Sequence, residues 1–272
     1  MSGPTAVGKT AYGIDLAMQH NTQIISADSR QCFKELNIGV AKPSEKQLKQ
    51  VKHYFINTHS IHEEVNARVF EEYALKALDE IFANNNTAII VGGTGLYIKA
   101  FAEGLDEMPN IDKNIRKRIN EQYNHLGFQW LYDEIKFHDP LFFTKGEIKN
   151  PQRMLRALEV KLSTGKSILE LHSGKKVERN FEIRNIVLEL PRQELYRNIN
   201  NRVDQMMEQG LLAEVESLFE YRHLNALQTV GYKELFDYMQ GNISLGKAVD
   251  EIKKNTRHFA KRQITWFKKA KI

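Results

Sequence analysis

Residues Gly3-Pro4-Thr5-Ala6-Val7-Gly8-Lys9-Thr10 fit the spacing G-x-x-x-x-G-K-[ST]. That spacing builds a phosphate cradle. The glycines let consecutive backbone N–H groups converge on one anion, and the following helix presents the positive end of its dipole. Lys9 is placed to reach terminal phosphate oxygens, and the Thr10 hydroxyl to hold Mg²⁺. The loop says phosphate without saying whose. A formal match does not separate a nucleotide such as ATP from another diphosphate.

Asp28 is the second residue able to do chemistry. It follows the apolar run Thr22-Gln23-Ile24-Ile25-Ser26, so it sits just past the end of a short strand. Open α/β sheets bind ligands at that edge. A carboxylate there can hold Mg²⁺, take a proton from a nucleophile or hold an amine. Standing alone it would be a helix cap or turn residue. Thr94 lies in the turn Gly92-Gly93-Thr94-Gly95 after a second apolar strand and is expected to face the same crevice. Arg153 and Arg156 share one helix face and can fork onto phosphates. No hydrophobic strand ends in Asp-Glu, which argues against an ATP-driven motor.

The elements that must position these groups read as follows. Helices are expected over 11–18 and 69–84 and from 96 to 101, with strands over 22–26 and 87–91. This alternation implies a parallel sheet. A phosphate loop normally leaves a buried strand. Only Met1 and Ser2 precede this one, so that strand is expected to be cut short or absent. From 105 to 182 the pattern is helical, with amphipathic helices over 112–134 and 151–163. A strand over 183–190 is expected to rejoin the sheet. The final helix is expected to bury Leu245, Val249, Ile252, Thr256, Phe259 and Gln263 along one seam. The fold class is therefore α/β: a P-loop NTPase-like parallel sheet flanked by helices, with an all-helical insertion domain. The catalytic core spans 1–104 and 183–272, and the insertion spans 105–182.

The chain has 272 residues, a net charge of +5 and one cysteine, Cys32. A lone cysteine excludes an internal disulfide and a cysteine-based zinc site. No run of 18 apolar residues is present, so no membrane helix is expected. The N-terminus lacks a signal-peptide pattern, and a cytoplasmic location is expected. Nine Lys/Arg and two acidic residues fall between Lys247 and Ile272, a basic stripe that suits a polyanion or a solvated helix face. His53, His59 and His62 show no metal spacing. Trp130 and Trp266 read as core anchors.

The chain resembles the bacterial tRNA dimethylallyltransferase (tRNA isopentenyltransferase) family over nearly its whole length. The resemblance rests on the phosphate loop, Ile25-Ser26-Ala27-Asp28-Ser29-Arg30-Gln31, Asn37-Ile38-Gly39-Val40-Ala41-Lys42-Pro43 and Val91-Gly92-Gly93-Thr94-Gly95-Leu96-Tyr97. It continues through Gln152-Arg153-Met154-Leu155-Arg156-Ala157-Leu158-Glu159-Val160, Val230-Gly231-Tyr232-Lys233-Glu234 and Asn255-Thr256-Arg257-His258-Phe259-Ala260-Lys261-Arg262-Gln263. Family members often run on beyond Trp266-Phe267. The resemblance implies transfer of a dimethylallyl group from dimethylallyl diphosphate to the exocyclic amine of the adenine 3′ of the anticodon. The tRNAs concerned read codons starting with U. It implies a diphosphate held by the loop, Lys9 and Arg257, with Mg²⁺ on Thr10. It further implies that Asp28 is the base and that Thr94 positions the amine or donor. It places the anticodon stem-loop against Asp28, Ser29, Arg30, Gln31, Thr94, Arg116, Gln152, Arg153, Met154, Leu155, Arg156, Gly231 and Lys233. A monomer is expected. The target base is stacked in its loop and must be flipped into the crevice.

Three other readings fit fewer features. A small-metabolite kinase leaves the long basic helix unexplained. An adenylate isopentenyltransferase needs no extended RNA surface. An RNA-binding module with an inert loop would not need Lys9, Thr10 and Asp28 together.

Overall fold

The computed structural model describes residues 1–270 of the chain. They form two compact units, Met1–Gly104 with Glu178 onward, and Leu105–Val177.

The first unit opens on the phosphate loop and α1 (Lys9–Gln19), followed by β1 (Ile24–Ala27), α2 (Glu45–Gln50), β2 (His53–Tyr54), α3 (Ala67–Phe82), β3 (Ile89–Gly92) and α4 (Gly95–Glu103). The strands form a parallel sheet in the order β2-β1-β3, with Ile24 opposite His53 and Ile89. β1 is buried at every position, as expected of a central parallel strand covered on both faces. Asn66 caps α3 by accepting from the Arg68 and Val69 N–H groups, and the helix buries Phe70, Ala74, Ala77, Leu78 and Ile81 on the face its periodicity foretold.

Two residues stand in for the strand before the loop. Ser2 bridges in parallel to Gly92 on one side and to Val187 on the other. Its N–H donates to Ile186 O at 2.8 Å, and its carbonyl accepts from Leu188 N–H at 2.9 Å. The strand expected over 183–190 is thus reduced to this single bridge. Its partner offers only one residue, and Ile183 and Val187 remain exposed.

The second unit contains α5 (Lys113–His138), α6 (Pro140–Lys145), α7 (Pro151–Thr164) and α8 (Ile168–Leu171), with no strand among the described residues. α5 breaks at Gly127, where φ is 77°. Its core joins Ile119, Leu131 and Ile135 of α5 to Phe142 of α6 and to Met154, Leu155, Ala157 and Leu158 of α7. Trp130 packs against that core.

The chain enters the first unit again at Glu178, a few residues before the boundary expected at 182. The reason is Arg179. Its guanidinium donates to Phe101 O and Ala100 O at 3.0 Å each and pairs with Glu71, and both side chains are about nine-tenths buried. Replacing Arg179 with methionine strands the Glu71 carboxylate. It should cost about 2–4 kcal/mol in urea denaturation. A loss under about 0.5 kcal/mol would show that water satisfies the carboxylate instead.

The remaining helices are α9 (Arg192–Glu208), α10 (Leu211–Ser217), α11 (Tyr232–Met239) and α12 (Leu245–Lys269). The seam of α12 runs through Ala248, Ile252, Ala260 and Gln263. Val249 and Thr256 lie at its edge. Phe259 is 40% exposed, which corrects its expected place in the core. A strict alternation of three and four residues drifts against a straight helix of 3.6 residues per turn.

Candidate functional site

The loop, the strand ends and α9 converge on one cavity of about 270 Å³ in the first unit. Gly8 makes the cradle possible. It takes φ 98° as the residue before α1, a conformation costly for any residue with a Cβ. No side chain caps α1 and no acidic residue occupies its first turn. Its leading N–H groups are therefore available to an anion. Thr5, Ala6, Gly8, Lys9 and Thr10 all line the cavity. Gly3, Pro4 and Val7 are buried behind it and shape the loop.

Lys9 is held back against its own loop. Its ammonium donates to Gly3 O at 3.0 Å and Pro4 O at 2.6 Å. Burial pushes its pKa down to about 8, Asp28 opposes that shift, and Arg202 adds to it. Arg202, from α9, reaches the loop with a 3.4 Å contact to Thr5 Oγ1 and lines the same cavity. The cavity thus brings two cations to the cradle and one carboxylate opposite.

That carboxylate is Asp28. Its Oδ1 accepts from the N–H groups of Arg30 at 2.8 Å and Gln31 at 3.3 Å, which fixes the side chain in the turn after β1. Thr94 is attached to the same turn. Its N–H donates to Ala27 O at 3.2 Å, and its Oγ1 accepts from Ser29 N–H at 3.0 Å. Gln31 lines the cavity with Asp28, whereas Ser29, Arg30 and Thr94 are not among the lining residues; Ser29 and Arg30 give their N–H groups to Thr94 and Asp28.

Gln263 ties the two sides together. Its amide oxygen accepts from Thr5 N–H at 2.8 Å, and its amide nitrogen donates to Gly93 O at 2.9 Å. Sequence periodicity marked it as a core position, and it is buried. Its role as a clasp between the phosphate loop and the end of β3 follows only from the fold. Arg202 carried no signal at all, being one of 39 Lys/Arg residues with no motif around it.

Other expected residues lie elsewhere. Arg257 is absent from the cavity lining and donates to Asn200 Oδ1 on α9 at 2.7 Å. In the second unit, Gln152 and Arg153 are exposed at the start of α7, where Arg153 pairs with Glu147. Arg116 and Arg156 both reach the buried Glu159, at 3.3 Å and 3.4 Å. Met154 and Leu155 are buried in that unit's core. This corrects their place among RNA-contacting side chains, because they occupy the apolar face of an amphipathic helix. Gly231 is buried, with its N–H given to Glu234 Oε2 at 2.8 Å, and Lys233 is exposed. Cys32 is buried and its thiol is pushed up to about 12, which suits a packing role. Among the described residues no helix is long and apolar enough to cross a membrane.

Comparisons with known proteins place the whole chain in a family. The chain is similar to a tRNA dimethylallyltransferase of Flavobacterium psychrophilum, at 49% identity over 98% of this chain and 89% of that protein. A similar protein of Flavobacterium johnsoniae is 46% identical over 98% of this chain and 88% of its own length. Among solved structures, the tRNA isopentenylpyrophosphate transferase of Bacillus halodurans matches with a TM-score of 0.71 and 34% identity, covering 98% of this chain and 85% of that one. A eukaryotic dimethylallyltransferase acting on tRNA matches with a TM-score of 0.78 and 26% identity, covering 97% and 68%. The model of the IPP transferase family matches residues 31–270, from the turn that carries Asp28's partner Gln31 through α12, and the chain belongs to that family.

Proposed function

We propose that this enzyme transfers a dimethylallyl group from dimethylallyl diphosphate to the exocyclic N6 of the adenine 3′ of the anticodon. The tRNAs concerned read codons beginning with U. The observation that carries this reading is one cavity with Lys9, Thr10 and Arg202 on one side and Asp28, held beside Thr94, on the other. The donor's C–O bond breaks and its electron pair leaves with the diphosphate. The adenine nitrogen forms the new N–C bond, and its proton passes to the Asp28 carboxylate. Lys9, Arg202 and the N-terminus of α1 stabilise the charge that develops on the leaving group. Thr94 fixes the turn that aims Asp28.

Mg²⁺ fits the donors present. Thr10 supplies a hard hydroxyl oxygen in the cavity that would also receive the diphosphate, and Mg²⁺ prefers few protein ligands beside phosphate oxygens. When bound there, it would neutralise charge on the departing diphosphate. We place the reaction in the cytoplasm, with the enzyme as a monomer. The exposed start of α7 and the basic face of α12 supply phosphate contacts to the anticodon stem-loop.

The test is transfer of label from dimethylallyl diphosphate with Mg²⁺, to unmodified tRNA and separately to AMP. Label on tRNA supports the reading. Label on AMP alone moves the chain to nucleotide-acceptor enzymes, and label on neither from folded protein overturns it. Charge reversal of the exposed Arg153, which leaves the Arg156–Glu159 pair intact, should weaken tRNA binding about 3–10-fold and flatten its salt dependence by about one phosphate contact. Donor affinity should be unchanged. An unaltered salt slope would remove α7 from the RNA surface.

A further inference from the structure

One wall of the cavity has no helix or strand of its own. Val40, Ala41 and Pro43, from the loop between β1 and α2, line the cavity together with the phosphate cradle. An isolated loop of this kind would be mobile. Ala41 takes φ 50°, a left-handed conformation that costs energy for a residue with a Cβ. Something outside the loop must hold it.

Lys42 ties one end of the loop to Phe33 O and Asn57 Oδ1, and the anchor for residues 38 and 39 comes from α10. The Glu214 carboxylate accepts from Ile38 N–H at 2.7 Å through one oxygen. Its other oxygen accepts from Gly39 N–H at 3.0 Å and from the Tyr232 hydroxyl at 2.6 Å. Tyr232, fully buried at the start of α11, also limits how the loop can approach. A Cβ on Gly39 would stand 2.6 Å from its ring, so the loop seats flat only with glycine there. The loop then reaches the catalytic turn. Gln31 Nε2 donates to Ala41 O at 3.0 Å and to Val40 O at 3.3 Å, while the Gln31 N–H donates to Asp28. Neither Glu214 nor Tyr232 lines the cavity.

We propose that Glu214 is a positioning residue that sets the apolar wall 40–43 and, through Gln31, the aim of Asp28, so that it governs the length of prenyl chain the cavity accepts. This rests on the prenyl-transfer reading above. Three donors on one carboxylate, given by two neighbouring loop residues and a buried phenol, define a built clamp. Removing the carboxylate leaves Ile38 and Gly39 N–H groups without their acceptor, and the strained Ala41 is free to relax. The wall then moves outward and a longer apolar chain finds room.

The test compares dimethylallyl and geranyl diphosphate as donors for tRNA. It uses wild type, Glu214→Ala, Glu214→Gln and Gly39→Ala. For Glu214→Ala, kcat/KM with the dimethylallyl donor should fall about 10–100-fold, the loss expected for charge-assisted hydrogen bonds. The ratio of geranyl to dimethylallyl turnover should rise at least about fivefold. Glu214→Gln retains one good acceptor and should fall between. Gly39→Ala pushes the loop off Tyr232 from the other side and should raise the same ratio with the Glu214 side chain itself unchanged. A variant that is merely less stable loses both donors in proportion, and an unchanged ratio in all three overturns the proposal. Amide hydrogen exchange supplies a readout free of activity. Glu214→Ala should deprotect residues 37–43 selectively, and unchanged protection overturns the clamp even if no donor reacts. Inactivity of the wild type with both donors, with the loop deprotected in the variant, would fault the prenyl-transfer reading and leave the clamp standing.

Discussion

The substitution Asp28→Asn should lower single-turnover prenyl transfer about 10²–10⁴-fold, the range expected for loss of the general base we propose. It is chosen for what it keeps. The asparagine amide can still offer its side-chain oxygen to the Arg30 and Gln31 N–H groups, which lie 2.8 and 3.3 Å from Asp28 Oδ1. The turn therefore survives, and with it the Thr94 contact at 3.0 Å. What is lost is the carboxylate proposed to accept a proton from the adenine amine. Transfer measured at saturating tRNA and donor isolates that step from binding. The tRNA affinity, measured by filter binding, should stay within about threefold. A rate loss smaller than about tenfold would remove Asp28 from the role of base and leave it a turn residue.

The substitution Lys9→Met should weaken pyrophosphate binding and slow transfer, each about 10²–10³-fold, the scale found for single donors to a developing anion. The pH dependence gives a sharper test. Lys9 titrates at about 8 rather than its ordinary 10.5, because burial disfavours its charge. A bound diphosphate favours the ammonium and raises that value. Binding therefore takes up a proton above pH 8, and affinity falls as pH rises through that point. Wild-type affinity for pyrophosphate, measured calorimetrically from pH 7 to 10 against Lys9→Met, should show a falling limb that the variant lacks. The variant controls for the ionisation of pyrophosphate itself. For the unliganded protein the sign is opposite. The charged Lys9 burdens the folded state fully below pH 8, and the burden fades as pH climbs toward 10.5. Parallel affinity curves for the two proteins would mean that Lys9 is not the titrating group.

Three of the residues that line the cavity were more legible than the sheet that carries them. Lys9, Thr10 and Asp28 announce themselves through local pattern: a loop spacing, and a carboxylate at a strand end. The helices 67–82 and 151–164 were legible because a buried face repeats every 3.6 residues. β2 is only His53 and Tyr54, too short to show a period, and it exists because β1 offers it hydrogen bonds. Residues 183–190 carry a strand-like run yet make one bridge, since pairing depends on what lies alongside. Arg202, Gln263 and Glu214 were illegible as site residues for the same reason. Each acts on a segment at least 170 positions away in the chain. Met154 and Leu155 show the converse error, in which a motif proposed to meet RNA takes in side chains that pack in the core.

The Gln263 clasp also sets when the enzyme can mature. It joins residues 258 positions apart, so the phosphate loop leaves the ribosome long before its partner exists. At about 5–20 residues per second, the wait is roughly 10–50 s. During that interval the sheet can form and the second unit can collapse around its local helical contacts, while the loop lacks the amide that fixes Thr5. Activity on a nascent chain should therefore switch on late and abruptly, once α12 docks, and stalled chains ending before residue 263 should be folded in part yet silent.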